Sequence, residues 1–386
     1  MVRSLLMLAV CGAALAAPAP SAHAAAAPPP GRGMHAFVAD LATGALRQLA
    51  QDRRDIATEP RLAWAPDGGG LLLTDDRRVG SDRFTRTLVR YPADGGAPAD
   101  VAPVDCAATQ VIVSPAGDRL AEVARGPFML PISSGHFRKP PDTFVLRTLD
   151  GRVLARLRGS VAPWEVAWSA DGSRVAVPVG DSHLRRWRIR VLDAATGAPL
   201  GTVRSPELPD LAEQAFSPDG TRIAFATMDR LAFRIGDVRT GAVRRLGRPA
   251  PVRGRRRGRP RLRQDELVDE VAWSPAGDRL AVLMHDGRVR LAGVDGTFGP
   301  PVAPPGRGRP NPPALLSWSR DGTRLAWWAS RFDRHENEQT SIVVLDAATR
   351  GVRTLGRPRH GLAGDLRWSP DSTRLAFLFE DRPAWE

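Results

Sequence analysis

Apolar residues fall in short runs along the whole chain, and the runs are broken at regular intervals by Ser, Pro, Asp and Gly. VAWSPAGDRLAV from Val271 shows the pattern, with apolar positions on both sides of a tight turn. In such a turn Pro presets φ, Asp accepts nearby backbone N–H groups and Gly tolerates positive φ, so the phrase predicts a β-hairpin. Near copies begin at Leu62, Val111, Val166, Gln214, Leu316 and Leu366. Aligned on Gly68, Gly117, Gly172, Gly220, Gly277, Gly322 and Ser372, they are spaced 49, 55, 48, 57, 45 and 50 residues apart. That interval is the length of a four-stranded propeller blade.

A second phrase lies between the copies, as in FVADLATGALRQL, IRVLDAATGAPLGTV and IVVLDAATRGVRTL, where an Asp-rich turn joins two more strands. Two hairpins per repeat make one blade. The chain starts with the second phrase at Phe37 and ends with the first at Leu366. The terminal halves therefore complete one another, and pairing residues 37–49 with 366–380 closes a ring of seven blades without exposed edges. The expected fold class is all-β, a seven-bladed β-propeller of four-stranded blades over residues 35–382. The aromatic before each turn, Trp64, Trp168, Phe216, Trp273, Trp318 and Trp368, with Val113 as the exception, is large enough to fill the gap between neighbouring blades.

This WSPDGxRLAF pattern and its Asp-Gly partner resemble the TolB-type repeat, a WD40-like propeller repeat also seen in prolyl oligopeptidase-like peptidases. The resemblance implies a propeller and covers nearly the whole chain after the leader. The α/β domain that precedes the propeller in TolB proteins of the Tol system is not expected, because the leader and a short linker run straight into the first strand. GDSHL at Gly180 lacks the second glycine of a hydrolase nucleophile elbow.

With 42% hydrophobic and 25% charged residues in 386, the chain can bury a large core, which excludes a disordered or disulfide-held class. Residues 1–24 read as a secretory signal: Arg3, an apolar run from Leu5 to Ala17, and Ala22-His23-Ala24 as the cleavage pattern. Residues 25–34 form an Ala/Pro-rich linker. The run is too short to span a bilayer, so an exported protein without a transmembrane span is expected, secreted or associated with the cell envelope, and periplasmic where there are two membranes. Cys11 in LAVCG faintly resembles a lipoprotein box. After cleavage at Ala24, Cys106 is the one cysteine left, which rules out an intramolecular disulfide.

The net charge of +13 favours anionic partners. Arginine is abundant throughout, so clustering is more informative than number. The turns within the two phrases are uniformly tight and open on one face. The remaining connections, from Asp75, Arg125, Gly180, Gly247, Ala303 and Ser330, open on the other, vary in length, and mark the recognition surface. Their densest feature is Arg253, Arg255, Arg256, Arg257, Arg259, Arg261 and Arg263, the candidate partner-binding residues. Arg257-Gly258-Arg259-Pro260 resembles an AT-hook core, but an exported protein seldom meets DNA, so nucleic acid is not the expected partner.

No C-x-x-C pair, H-E-x-x-H, P-loop or dinucleotide fingerprint occurs. His35, His136, His183, His285, His335 and His360 are scattered among blades, and DRHENE from Asp333 reads as solvated charge. No catalytic residue, metal or cofactor is expected. The sequence points to an exported, monomeric, non-catalytic scaffold that binds a protein or an anionic envelope component through its variable-loop face. The competing reading is a hydrolase or lyase with residues dispersed around the central channel, which a cluster of acids or histidines at the channel mouth would favour.

Overall fold

The computed structural model describes residues 34–51, 61–79, 84–124, 130–131, 137–138, 142–162, 166–181, 186–227, 230, 232–246, 267–302, 309–311, 315–332 and 338–381. The leader, residues 25–33 of the linker, the arginines of 253–263, His136, His183, His335 and most of the DRHENE segment lie outside the described residues.

Seven antiparallel blades stand among the described residues, and no helix does. Blade 1 is Ala63–Trp64, Gly70–Arg78, Phe84–Pro92 and Ala99–Val104. Blade 2 is Ala108–Val113, Arg119–Ala124, Asp142–Thr148 and the first part of Val153–Val161. Blade 3 is Ala167–Trp168, Arg174–Gly180, Trp187–Asp193 and Pro199–Ser205. Blade 4 has Arg222–Thr227, Phe233–Asp237 and Val243–Leu246, with its innermost strand made of Pro209–Asp210, paired with Ala226 and Thr227, and a bridge between Phe216 and Ile223. Blade 5 has Val268–Trp273, Arg279–Met284 and Val289–Gly293, its outermost strand present only as the bridges Val289–Val302 and Ala292–Phe298. Blade 6 is Leu316–Trp318, Arg324–Phe332, Glu338–Asp346 and the first part of Val352–Trp368.

Blade 7 is assembled from both ends of the propeller. The second part of Val352–Trp368 pairs with Arg374–Asp381, which pairs in turn with His35–Asp40, and Leu46–Gln51 lies outermost. His35 stands opposite Phe379, Val38 opposite Ala376 and Asp40 opposite Arg374. Phe37 stacks on Phe377 with ring centroids 5.3 Å apart. The ring closes as the order of the two phrases requires.

Short polar side chains hold the turns. Ser217 Oγ accepts the N–H of Arg222 at 2.9 Å and donates to Asp219, whose carboxyl is pulled down to about 2, first by that serine and then by the Thr221 N–H. Ser169, Ser319 and Ser369 repeat the arrangement in blades 3, 6 and 7. In the outer turns Asp193 accepts the N–H groups of Ala195 and Thr196 and the Thr196 hydroxyl, and Asp40 does the same for Ala42 and Thr43. Ser372 occupies the left-handed position that glycine holds in the other six repeats, with φ of 60°.

The core is a set of seven seams, one between each pair of neighbouring blades. In six of them an alanine of one blade meets the large aromatic of the next: Ala376 and Trp64, Ala121 and Trp168, Ala176 and Phe216, Ala224 and Trp273, Ala281 and Trp318, Ala326 and Trp368. The aromatics fill the gaps between blades as their spacing implies. Arginines at the head of the second strand reinforce the seams. Arg374 lies over the Trp64 ring and donates to the Gly68 carbonyl at 2.8 Å, Arg222 lies over Trp273, and Arg174 donates to the Gly220 carbonyl.

Every connection between blade strands longer than six residues leaves from one face, between Gln51 and Ala63, Ala124 and Asp142, and Leu246 and Val268; Arg309–Asn311, which pairs with Ser330–Phe332, extends the innermost strand of blade 6. Two segments expected to be variable loops, from Asp75 and from Ser330, are instead mostly strand. Gly70–Arg78 runs against Phe84–Pro92 and Arg324–Phe332 against Glu338–Asp346. Ion pairs from Arg77 to Asp75 and Arg86 to Asp76 make those polar positions compatible with a ladder.

Candidate functional site: the central channel

The inner strands place one column of residues around the axis just before each aromatic phrase: Arg61, Gln110, Glu213, Glu270, Leu315 and Asp365. Each acid here is committed to a partner. The Asp365 side chain, 2% exposed, accepts the Leu62 N–H of blade 1 at 3.0 Å and pairs with Arg367 at 3.1 Å and Arg61 at 3.7 Å. Glu270 makes the equivalent contact two seams earlier, accepting the Leu316 N–H of blade 6 at 2.9 Å. Glu213 of blade 4 meets the Arg367 guanidinium of blade 7 and lies 3.4 Å from the Ser317 hydroxyl.

Blades 4 and 7 stand on opposite sides of a seven-membered ring, so the Glu213–Arg367 pair bolts the channel across its axis. Next to it, the Gln214 amide accepts from the Trp318 N–H at 3.2 Å and donates to the Trp318 carbonyl at 3.3 Å. Burial by itself would lower the Arg367 pKa, but Asp365 and Glu213 raise it above the ordinary arginine value. The guanidinium stays charged. Burial, followed by the nearby Asp210 charge, pushes Glu270 up to about 8.

A cavity of about 370 Å³ extends along the axis from this bolt to the tight-turn end, where Pro115, Pro218, Pro275 and Arg320 line it. Its walls are the inner edges of the seam aromatics. The Trp64 indole donates to the Arg367 carbonyl at 3.0 Å and that of Trp368 to the Ser317 carbonyl at 2.8 Å. Those of Trp168, Trp273 and Trp318 are buried without an acceptor among the described residues.

Acids thus do converge on the channel. Arg367 makes Asp365 and Glu213 structural clasps, since a carboxylate held by a charged guanidinium is poorly suited to move protons at neutral pH, whereas Glu270, pushed up to about 8, is buried against the Leu316 N–H. Sequence reading missed the bolt. Its one legible sign is Arg367, which occupies a position where the other repeats carry Ala63, Ile112, Ala167, Ala215, Ala272 and Ser317.

His285 is the described histidine in contact with an acid. Its Nδ1 lies 3.1 Å from Asp269 and 2.7 Å from the Arg230 guanidinium, between blades 4 and 5 on the long-connection face. Burial raises the Asp269 pKa, and Arg230 and His285 oppose that rise. Nδ1 thus faces a guanidinium donor and a carboxylate acceptor at once, and Arg230 itself pairs with Asp269 at 3.0 Å. His35 bonds Gln48 instead, and no group of three or more metal-ligating side chains occurs among the described residues. Cys106 lies in the short connection between blades 1 and 2, its thiol 3.4 Å from the Phe84 carbonyl. Among the described residues no helix is long and apolar enough to cross a membrane.

The repeat and the ring closed by its own first and last hairpins define the class: a seven-bladed β-propeller built on a TolB-like, WD40-like repeat. No family model matches the chain. It is 28% identical over 224 residues to human Coronin-7 and 27% identical over 215 residues to the mouse protein, covering 55% and 54% of this chain and 21% of either relative. Orangutan (Pongo abelii) Coronin-7 is 28% identical over 269 residues, 64% of this chain and 25% of its own length. The chain thus spans about a quarter or less of these curated relatives. A solved structure described as a TolB from Agrobacterium tumefaciens superposes with a TM-score of 0.46 and 17% identity, over 92% of this chain and 99% of that one.

Proposed function

We propose that this protein is an exported, non-catalytic propeller that holds a protein or an anionic component of the cell envelope on its long-connection face. The observation that carries the reading is the one-sidedness of the ring. Every connection longer than six residues emerges from the same face of a closed scaffold. Rigid rings that vary on one side suit recognition, because the scaffold fixes the loops while their sequences are free to differ. The arginines from Arg253 to Arg263 fall in the longest of these connections, between Leu246 and Val268, and supply charge for an anionic partner. The Asp365 and Glu213 carboxylates, both held by Arg367, support binding over the hydrolase or lyase alternative.

The test is site-specific photocrosslinking in intact cells, with the reactive residue placed at Val79 on the long-connection face or at Ala195 on the tight-turn face, both exposed. Adducts from position 79 that vanish when the seven arginines become Ser are expected. Adducts from position 195 alone would overturn the assignment of the face. Cleavage after Ala24 and recovery outside the cytoplasm check the export part separately.

A further inference from the structure

We propose that the axial cavity is a binding site for a small planar aromatic carboxylic acid, entered from the tight-turn end, with its ring among the channel tryptophans and its carboxylate on Arg320. The cavity volume of about 370 Å³ lies in the range of small-molecule pockets. The Glu213–Arg367 bolt spans its inner end. Its walls are the inner edges of Trp64, Trp168, Phe216, Trp273, Trp318 and Trp368. Ring edges carry the positive end of the aromatic quadrupole and attract the π face of another ring, whereas a cation needs a ring face. Two of those faces are already covered, Trp64 by Arg374 and Trp273 by Arg222. The walls therefore favour an aromatic guest over a cationic one.

The lip supplies the charge. At the turn position of Arg320, five repeats carry Pro66, Pro115, Pro218, Pro275 and Pro370, and blade 3 carries Ala170. The prolines pack against the glycine turn of the next blade, as Pro66 does at Gly117 and Pro275 at Gly322. Between blades 6 and 7 both members of that contact are replaced. Ser372 stands for the glycine and accepts the Asp321 N–H at 3.2 Å, so the turns stay joined while position 320 is released from packing. Arg320 is exposed, lines the cavity and has no acidic partner among the described residues. The aspartates of the surrounding turns are engaged in their own hairpins, where Asp171, Asp219, Asp278 and Asp321 accept the hydroxyls of Ser169, Ser217, Ser274 and Ser319. A guanidinium fork matches a carboxylate with two parallel hydrogen bonds, and one cation at the lip suits a singly charged guest.

This site opens on the face opposite the long connections and does not rest on the reading given above. Isothermal titration calorimetry with 2-naphthoate and with neutral 2-naphthylmethanol tests it. The titrations use the full chain, Arg320→Ala, Ala170→Trp, and a variant whose seven arginines from Arg253 to Arg263 are Ser. Alanine already holds the equivalent position in blade 3, so the first change fits the turn, and a tryptophan at 170 obstructs the mouth from the other side of the ring. Melting temperatures confirm that the variants fold. One saturable site is expected in the full chain. Arg320→Ala should weaken naphthoate about tenfold or more and leave the alcohol within about twofold, Ala170→Trp should lose both ligands, and the loop variant should match the parent. Absence of saturable binding overturns the proposal, as does equal naphthoate binding by Arg320→Ala. Retention of naphthoate by Ala170→Trp overturns it too, because it would mark contact with surface arginines alone. Loss of binding in the loop variant alone would also overturn it, while leaving the long-connection reading in place.

Discussion

Leu72 packs with Val113 across the seam between blades 1 and 2, in the two positions that hold an alanine and a large aromatic in every other seam. The large and small partners have changed sides. The departure extends further, since Gly70 stands where the other repeats carry an arginine, which as Arg174, Arg222, Arg324 and Arg374 reaches the next blade. A side chain there would put Cβ 2.7 Å from the Tyr91 carbonyl. Buried polar clasps take over: Arg86 pairs with Asp76 and reaches the Ala108 carbonyl, while Arg147 pairs with Glu122 and donates to the Pro103 carbonyl, both at 2.6 Å.

The exchange predicts a specific coupling. Leu72→Ala should cost about 2–4 kcal/mol by leaving a cavity beside Val113. Val113→Trp should cost about 1–3 kcal/mol by overpacking against Leu72. The double variant should recover a large part of both losses, because it restores the pairing of the other seams. Urea unfolding of the four proteins gives the coupling energy, and simple additivity would contradict the size exchange.

Glu270 makes stability depend on pH. Its folded value of about 8 lies above the ordinary 4.5, so the folded state holds the extra proton between those values. Its contribution is fully present below about pH 4.5 and is lost as pH rises through 8. Glu270→Gln keeps an acceptor for the Leu316 N–H and removes the ionisation. The variant should melt higher than the parent at pH 9, by an amount equivalent to about 1–3 kcal/mol, and close to it at pH 5. Parallel melting curves across that range would show that Glu270 does not titrate there.

Removing Arg367 strands two carboxylates in the channel. Arg367→Met should cost about 3 kcal/mol or more, whereas Arg367→Met combined with Glu213→Gln should be milder, because one uncompensated charge is gone and Arg61 remains beside Asp365. Thermal denaturation at neutral pH compares the two.

Tryptophan to phenylalanine changes should separate the seams by hydrogen bonding. Trp64→Phe loses the bond to the Arg367 carbonyl and Trp318→Phe loses none. With similar volume removed, the first should be more damaging by about 1 kcal/mol, measured by chemical unfolding.

The repeat made the blades, the ring closure and the seam aromatics legible, because burial and turn chemistry are local and recur at a fixed interval. Phe216 and Trp273 could be assigned to seams from their place in the phrase alone. The bolt was not legible, since Glu213 and Arg367 meet only when blades 4 and 7 face each other across the axis, and periodicity carries no information about that distance. The segments from Asp75 and Ser330 read as loops for a different reason: their charged neighbours have loop chemistry, while cross-strand ion pairs such as Arg86 with Asp76 allow the ladder to continue.

The strand His35–Asp40 is synthesised among the first residues of the propeller and its partner Arg374–Asp381 among the last. Until the second emerges, the nascent polypeptide carries two open sheet borders that no later repeat can cover, and the final annealing step must bring together segments from opposite ends of the domain. Ribosome-bound chains ending just before Arg374 should therefore be sticky and protease-sensitive, with protection arriving late and all at once.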